Sequence, residues 1–386
     1  MALPRAVPLF ENCWRARSEV NTSMLSMSGP RTTSVMTDRF ASRAPHRRKG
    51  LFAAALVGCV VAGVFHSVGP ARAASYAHQV HARAATAIHL EQPAGLAIAP
   101  NGDLIIADQQ LNEVLVRLPS GTLQVIAGTG KAGFSGDGGL AIDAQLHGPD
   151  ALALGSNGTI YVNDEGNDRV RALLPNGRIT TVAGTGGTGG THISVGSLAT
   201  KVAMAPSDVT IGPHGRLYLA TANDVVELSA SGVIASVINL TKTPGVTLRY
   251  PQCDPESIAF DRSWDLFVGC GNSRELIKRT TRGHYETIEA SYRPHDFPGM
   301  AFSEGGALLI VNYEVLFGVI DKHATPLIGL NTFAHPVVCV PSGIAVSTNG
   351  TIYTDCQSGD GFDTGAGLAK ITPGGAVVLL RLWKEQ

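Results

Sequence analysis

The 386-residue sequence has no Gly-x-Ser-x-Gly elbow and no His-Glu-x-x-His, and its twelve histidines are scattered, which removes the common signatures of serine hydrolases and zinc proteases. No segment shows amphipathic helical periodicity, so helical bundles and doubly wound α/β folds are excluded. Basic residues are not in excess, with 30 Lys and Arg against 31 Asp and Glu. A nucleic-acid partner would want clustered cations, and none is expected. The six cysteines include no pair at the two-to-four-residue spacing of a structural zinc site. The longest apolar run, Leu51 to Phe65, is short for a membrane span of roughly 20 residues.

What is present, from residue 90 onward, is one pattern repeated six times. Its anchors are Pro93, Pro149, Pro206, Pro255, Phe297 and Pro341, spaced 56, 57, 49, 42 and 44 residues apart. Each opens a strand-sized apolar run such as Gly95 to Ile98 or Ala151 to Leu154. Four of these runs meet a glycine turn (Asn101-Gly102, Asn157-Gly158, Pro213-His214-Gly215, Asn349-Gly350) of the kind that reverses a hairpin. A second strand then ends fifteen residues after the anchor, at Asp108, Asp164, Thr221, Cys270, Asn312 and Cys356. Third and fourth strands follow, for example Glu113 to Leu118 and Leu123 to Ala127. Each repeat is thus expected to be a four-stranded antiparallel sheet. Six such sheets at this period predict an all-β, six-bladed β-propeller, because a ring packs every blade between two neighbours.

The phrases Val125 to Gly139 (VIAGTGKAGFSGDGG), Ile160 to Val170 (IYVNDEGNDRV) and Thr181 to Gly186 (TVAGTG) resemble bacterial NHL-repeat propellers. The full phrase covers blades one and two, part of blade three, and is lost in blades four to six. The resemblance implies a six-bladed ring that binds protein or other ligands through its loops and channel mouth. A more distant similarity to gluconolactonase-like propellers implies a divalent cation held in the channel.

The head of the chain divides into an extension or early start over 1–35, an export signal over 36–73, and a segment over 74–89. The signal has a basic stretch ending at Arg47-Arg48-Lys49, the apolar core, and a small-x-small site at Ala71-Arg72-Ala73. Residues 84 to 90 are expected to add a strand beside Ala376 to Leu382, stapling the first blade to the last. Without 1–73 the chain holds 20 basic and 28 acidic residues, a net charge of about −8 that favours solubility outside the cytoplasm. The expected location is secreted or at the cell envelope, with no membrane contact beyond the signal, and the chain is read as a monomer. Two cysteine pairs, Cys253 with Cys270 and Cys339 with Cys356, are each seventeen residues apart and share repeat positions. Such positions face each other across a hairpin, so both pairs are expected to be disulfides.

Just after the anchors, Asp150, Asp208 and Glu256 come from consecutive blades. With Asn312, or Asn163, they could give oxygen ligands to Ca²⁺ or another divalent cation; the alternative is that they accept backbone hydrogen bonds. Asp108 and Asp164 are read as turn caps. Gly128 to Gly139 matches a dinucleotide-binding glycine pattern, but no helix opens there. It is read instead as a flexible inter-blade loop in which Lys131, Phe134 and Asp137 contact a ligand, Phe134 alternatively plugging the loop onto its blade. His295, beside Asp296, completes the candidate ligand contacts. The leading function is a binding scaffold for a protein, small-molecule or cell-envelope ligand. The alternative is a metal-dependent hydrolase or lyase of the lactonase type.

Overall fold

The computed structural model describes residues 82–84, 90–187, 193–240, 253–271, 275–290, 299–312, 315–320, 323–329, 339–358 and 367–380. The export segment read in 36–73 and the extension 1–35 lie outside these residues.

The repeat folds as its period dictates, into six antiparallel four-stranded blades. They span 93–127, 149–183, 206–239, 255–290, 299–329 and 339–380. Within each, the strands follow one another from the channel outward. The register begins at the anchor: Pro93 pairs with Asp108, Pro149 with Asp164, Pro206 with Thr221 and Pro255 with Cys270. In these four blades the ladder slips directly after the proline. Asp150, Ser207 and Glu256 each become the extra residue of a β-bulge, which releases them from pairing and re-aims their side chains. In blade six the inner strand is interrupted at Pro341, leaving Cys339–Val340 and Ile344–Val346 to pair separately with the second strand.

The core lies between blades. Ile105, Val116 and Ile126 of blade one pack with Ile160, Val162 and Ile179 of blade two. Val170 of blade two meets Val209 and Val226 of blade three. Ala220 and Val225 of blade three meet Ile258 and Val268 of blade four. Phe267 of blade four meets Ile310 and Phe317 of blade five. Val311 and Leu316 of blade five meet Ile344 and Ala369 of blade six. The circle closes where Leu96, Ile106 and Leu115 of blade one meet Ala345 and Leu368 of blade six.

Among the described residues the closing joint is made by face-to-face packing. Ala84, expected in a strand beside blade six, pairs instead with Gln124, and Arg83 with Val125, on the outer strand of blade one; residues 85–89 lie outside the described ones. At the closing joint Gly343 lies against the carbonyl oxygen of Ala94, an approach only a residue without a β-carbon allows. The outer strands of blades four and five also pair with each other, in parallel, through Glu289 with His323 and Ala290 with Ala324. That pairing covers two sheet edges at once.

Candidate functional site

At the channel mouth Asp150, the bulge residue of blade two, and Asp208, which pairs with Ala220 just past the bulge of blade three, lie close enough for their charges to interact. Oδ1 of Asp150 accepts a hydrogen bond from Nδ2 of Asn163 at 2.8 Å, and the same nitrogen donates to the Pro206 carbonyl of blade three at 2.9 Å. Asn163 is fully buried, and its Oδ1 has no hydrogen-bond partner. Asp208 accepts its neighbour Val209 N–H on Oδ1 and, across the joint, Ile258 N–H of blade four on Oδ2, both at 2.7 Å. Ser207 donates its hydroxyl to the Pro255 carbonyl at 2.5 Å.

Both residues keep partial solvent access, but their carboxyls are crowded by protein. That desolvation disfavours their charged forms. It pushes Asp208 up to about 7, against the hydrogen bonds from Ile258 and Val209. It raises Asp150 well above the usual carboxylate range, with the charges of Glu165 and Asp208 adding to the effect.

The other expected ligands turn toward their own blades. The carboxylate of Glu256 lies over Gly271 of its own blade, in the space a β-carbon there would fill. Oδ1 of Asn312 accepts Val315 N–H at 3.0 Å and caps the next turn. Among the described residues no three His, Cys, Asp or Glu side chains form a group that could hold a metal ion. His295 lies outside the described residues.

A third buried acid sits at the break in blade six. Asp355 is fully buried and accepts Ser342 N–H at 2.8 Å, the Ser342 hydroxyl at 2.9 Å and Gly343 N–H. Burial nonetheless pushes it up to about 7. No motif marked it. Asn163 and Asp355 share one position, fourteen residues after the anchor, and polarity there against apolar or small residues in the other blades was the available signal. Asp108 caps the turn that follows it, as the sequence indicated, whereas Asp164 makes no capping bond to its own turn and ties other segments together instead. Asp108 accepts Glu91, Gln92 and Leu111 N–H, and Asp164 accepts His147 N–H and pairs with Arg171.

The loop from Gly128 to Gly139 is fastened, not loose. Arg169 and Arg171 project from one face of the third strand of blade two and flank Phe134, with guanidinium carbons 3.8 and 4.8 Å from the ring centre. Arg171, fully buried, donates to Asp164, to Asp137 and to the Ser135 carbonyl. Asp137 also accepts the Thr181 hydroxyl at 2.7 Å. Phe134 and Asp137 thus serve first to seat the loop, whereas Lys131 is exposed. Sequence reasoning missed Arg171. Its alternation with Arg169 along a strand was the only trace of it.

Cys253 and Cys270 form a disulfide, their α-carbons 5.0 Å apart. Cys356 is likewise disulfide-bonded, and the side chain of its expected partner Cys339 lies outside the described ones.

Residues 60–174 match the family model of the teneurin NHL domain. Human teneurin-4 is 36% identical over 105 residues, which cover 23% of this chain and 4% of that protein. Chicken teneurin-1 is 32% identical over 120 residues, covering 28% and 4%. The similarity therefore spans a small fraction of these relatives' length. Among solved structures, a streptogramin B lyase superposes with a TM-score of 0.52 at 15% identity, covering 79% of this chain and 86% of that one. A putative gluconolactonase gives 0.50 at 16% identity, covering 74% and 90%. At such identities the likeness concerns the fold. The chain is a six-bladed β-propeller, similar over residues 60–174 to the teneurin NHL domain.

Proposed function

We propose that the protein is an exported scaffold that holds a protein or a small cell-envelope ligand at its channel mouth and inter-blade loops. The observation that carries this reading is the use made of the mouth's polar groups. Asp208, Asn163, Ser207 and Asn312 are committed to backbone partners that tie blades and turns together. A rigid rim of this kind presents loops without assembling a reaction centre. Export is supported by the Cys253–Cys270 disulfide, a bond that persists in oxidising compartments.

A metal-dependent hydrolase or lyase is the second reading, favoured by the proximity of Asp150 to Asp208 and by the unpartnered Asn163 Oδ1. Metal analysis of the purified chain, with calcium titrated against its melting temperature after chelation, separates the two. The scaffold predicts no stoichiometric ion and no shift. A bound ion with a clear upward shift would overturn it and direct a screen of lactones and esters.

A further inference from the structure

We infer that the face opposite the mouth carries a separate binding surface, centred on Trp264, for a uronate-containing polysaccharide. The first hairpin turns of the blades are equivalent, and each needs a left-handed residue. Blades one, two, five and six use Gly102, Gly158, Gly306 and Gly350, with φ between +80° and +87°. Blade four uses Trp264 at φ +64°, a conformation that a bulky side chain adopts only under strain. The core does not require the ring either, since Trp264 is 47% exposed. What the tryptophan adds is an apolar plate at the surface.

That plate is held in place. Trp264 meets Phe260 edge to face at 6.3 Å, and Phe260 meets Tyr218 of blade three at 4.8 Å, so the ring is oriented before any ligand arrives. The acids around it are turned inward. Asp261 accepts Ser263 and Asp265 N–H, Asp265 accepts Thr281 N–H and pairs with Lys278 at 2.8 Å, and Glu227 pairs with Arg216. Besides Ser263 and Thr281, the side chains of these two turns that face water beside the ring are basic. Arg262 lies in the same turn, and Arg282 and His284 lie in the turn that the Asp265–Thr281 bond holds alongside.

A flat ring beside guanidinium groups suits a sugar acid. The C–H bonds of a pyranose face carry slight positive charge against the negative face of the indole, and the ring carboxylate takes paired N–H donors from arginine. A neutral glycan would leave the arginines unused. A single-stranded nucleic acid would want successive exposed rings. Among the described residues the other exposed large aromatic is Phe134, seated under Arg169.

The test is calorimetric titration of the full chain with a galacturonate hexamer, using maltohexaose and poly-glutamate as controls. Binding of the uronate alone is expected. Trp264→Gly should weaken it about tenfold or more, as removal of a central aromatic contact does, while leaving the melting temperature unchanged or raised. Arg262→Gln should weaken it several-fold without moving that temperature. Three results would each overturn the proposal: no uronate binding, equal binding of poly-glutamate, or a lower melting temperature in Trp264→Gly, which would make the ring a structural plug.

Discussion

Asp355 and Asp208 are acids that the fold holds protonated far above the pH at which a free aspartate ionises. Their ordinary value of 3.8 applies to the unfolded chain, and burial moves each to about 7 in the folded one. Between these values the folded protein retains protons that the unfolded chain has released. Unfolding therefore gives up protons, and stability falls as pH rises through this window. Asp150, Asp108 and Asp164 are shifted in the same direction. The urea midpoint is accordingly expected to decline from about pH 4 to about pH 7. Asp355→Asn keeps an oxygen that can accept Ser342 and Gly343 N–H but removes the ionisation. It should flatten the profile and recover on the order of 1 kcal/mol or more at the upper end. A midpoint that climbs with pH would contradict this account.

The glycine-rich loop was located by its phrase, but what holds it was not. Gly128, Gly133 and Gly138 read as freedom, yet their N–H groups donate to the carbonyls of Ala141, Leu146 and Ile179. The element that decides the loop's conformation is Arg171, 34 residues from Asp137 along the chain. Strand periodicity alone says only that Arg171 belongs to a face, not that the face is roofed by a loop from the preceding blade. Removing Arg171 leaves Asp164, itself fully buried, without its cation. Arg171→Met is therefore expected to cost about 3–5 kcal/mol and to release the loop. Asp137→Ala acts at the exposed end of the same network, where its side chain is 40% accessible, and should cost less than about 1 kcal/mol. Urea denaturation of the two variants, with proteolysis between Gly128 and Gly139 as the local readout, checks the ordering. Equal losses would mean that the buried pair is not what seats the loop.

At the level of the ring, blade number and register were legible because six copies must present matching faces to one another, so the anchors recur even where the NHL phrase is lost. The joints between blades were not, since they depend on which residues lie opposite in the closed circle. The circle could be closed by a strand from the head of the chain or by packing alone, and both use the same apolar alternation. Ala84 pairs with Gln124 of blade one and Gly343 packs on Ala94 at the closing joint, so packing is expected to carry the closure. Removing all residues before 90 should cost about 1 kcal/mol or less, the scale of a surface change, because Leu90 and the closing cluster remain. Gly343→Ala drives a methyl into the Ala94 carbonyl and should cost about 1–3 kcal/mol or more, as overpacking does. Since each blade is buried only by its neighbours, a joint opened there exposes two faces at once. The loss should therefore appear as a lower midpoint of one cooperative transition, measured by calorimetry on both variants. If truncation lowers the melting temperature as much as Gly343→Ala does, the head of the chain staples the ring and the packing joint is secondary.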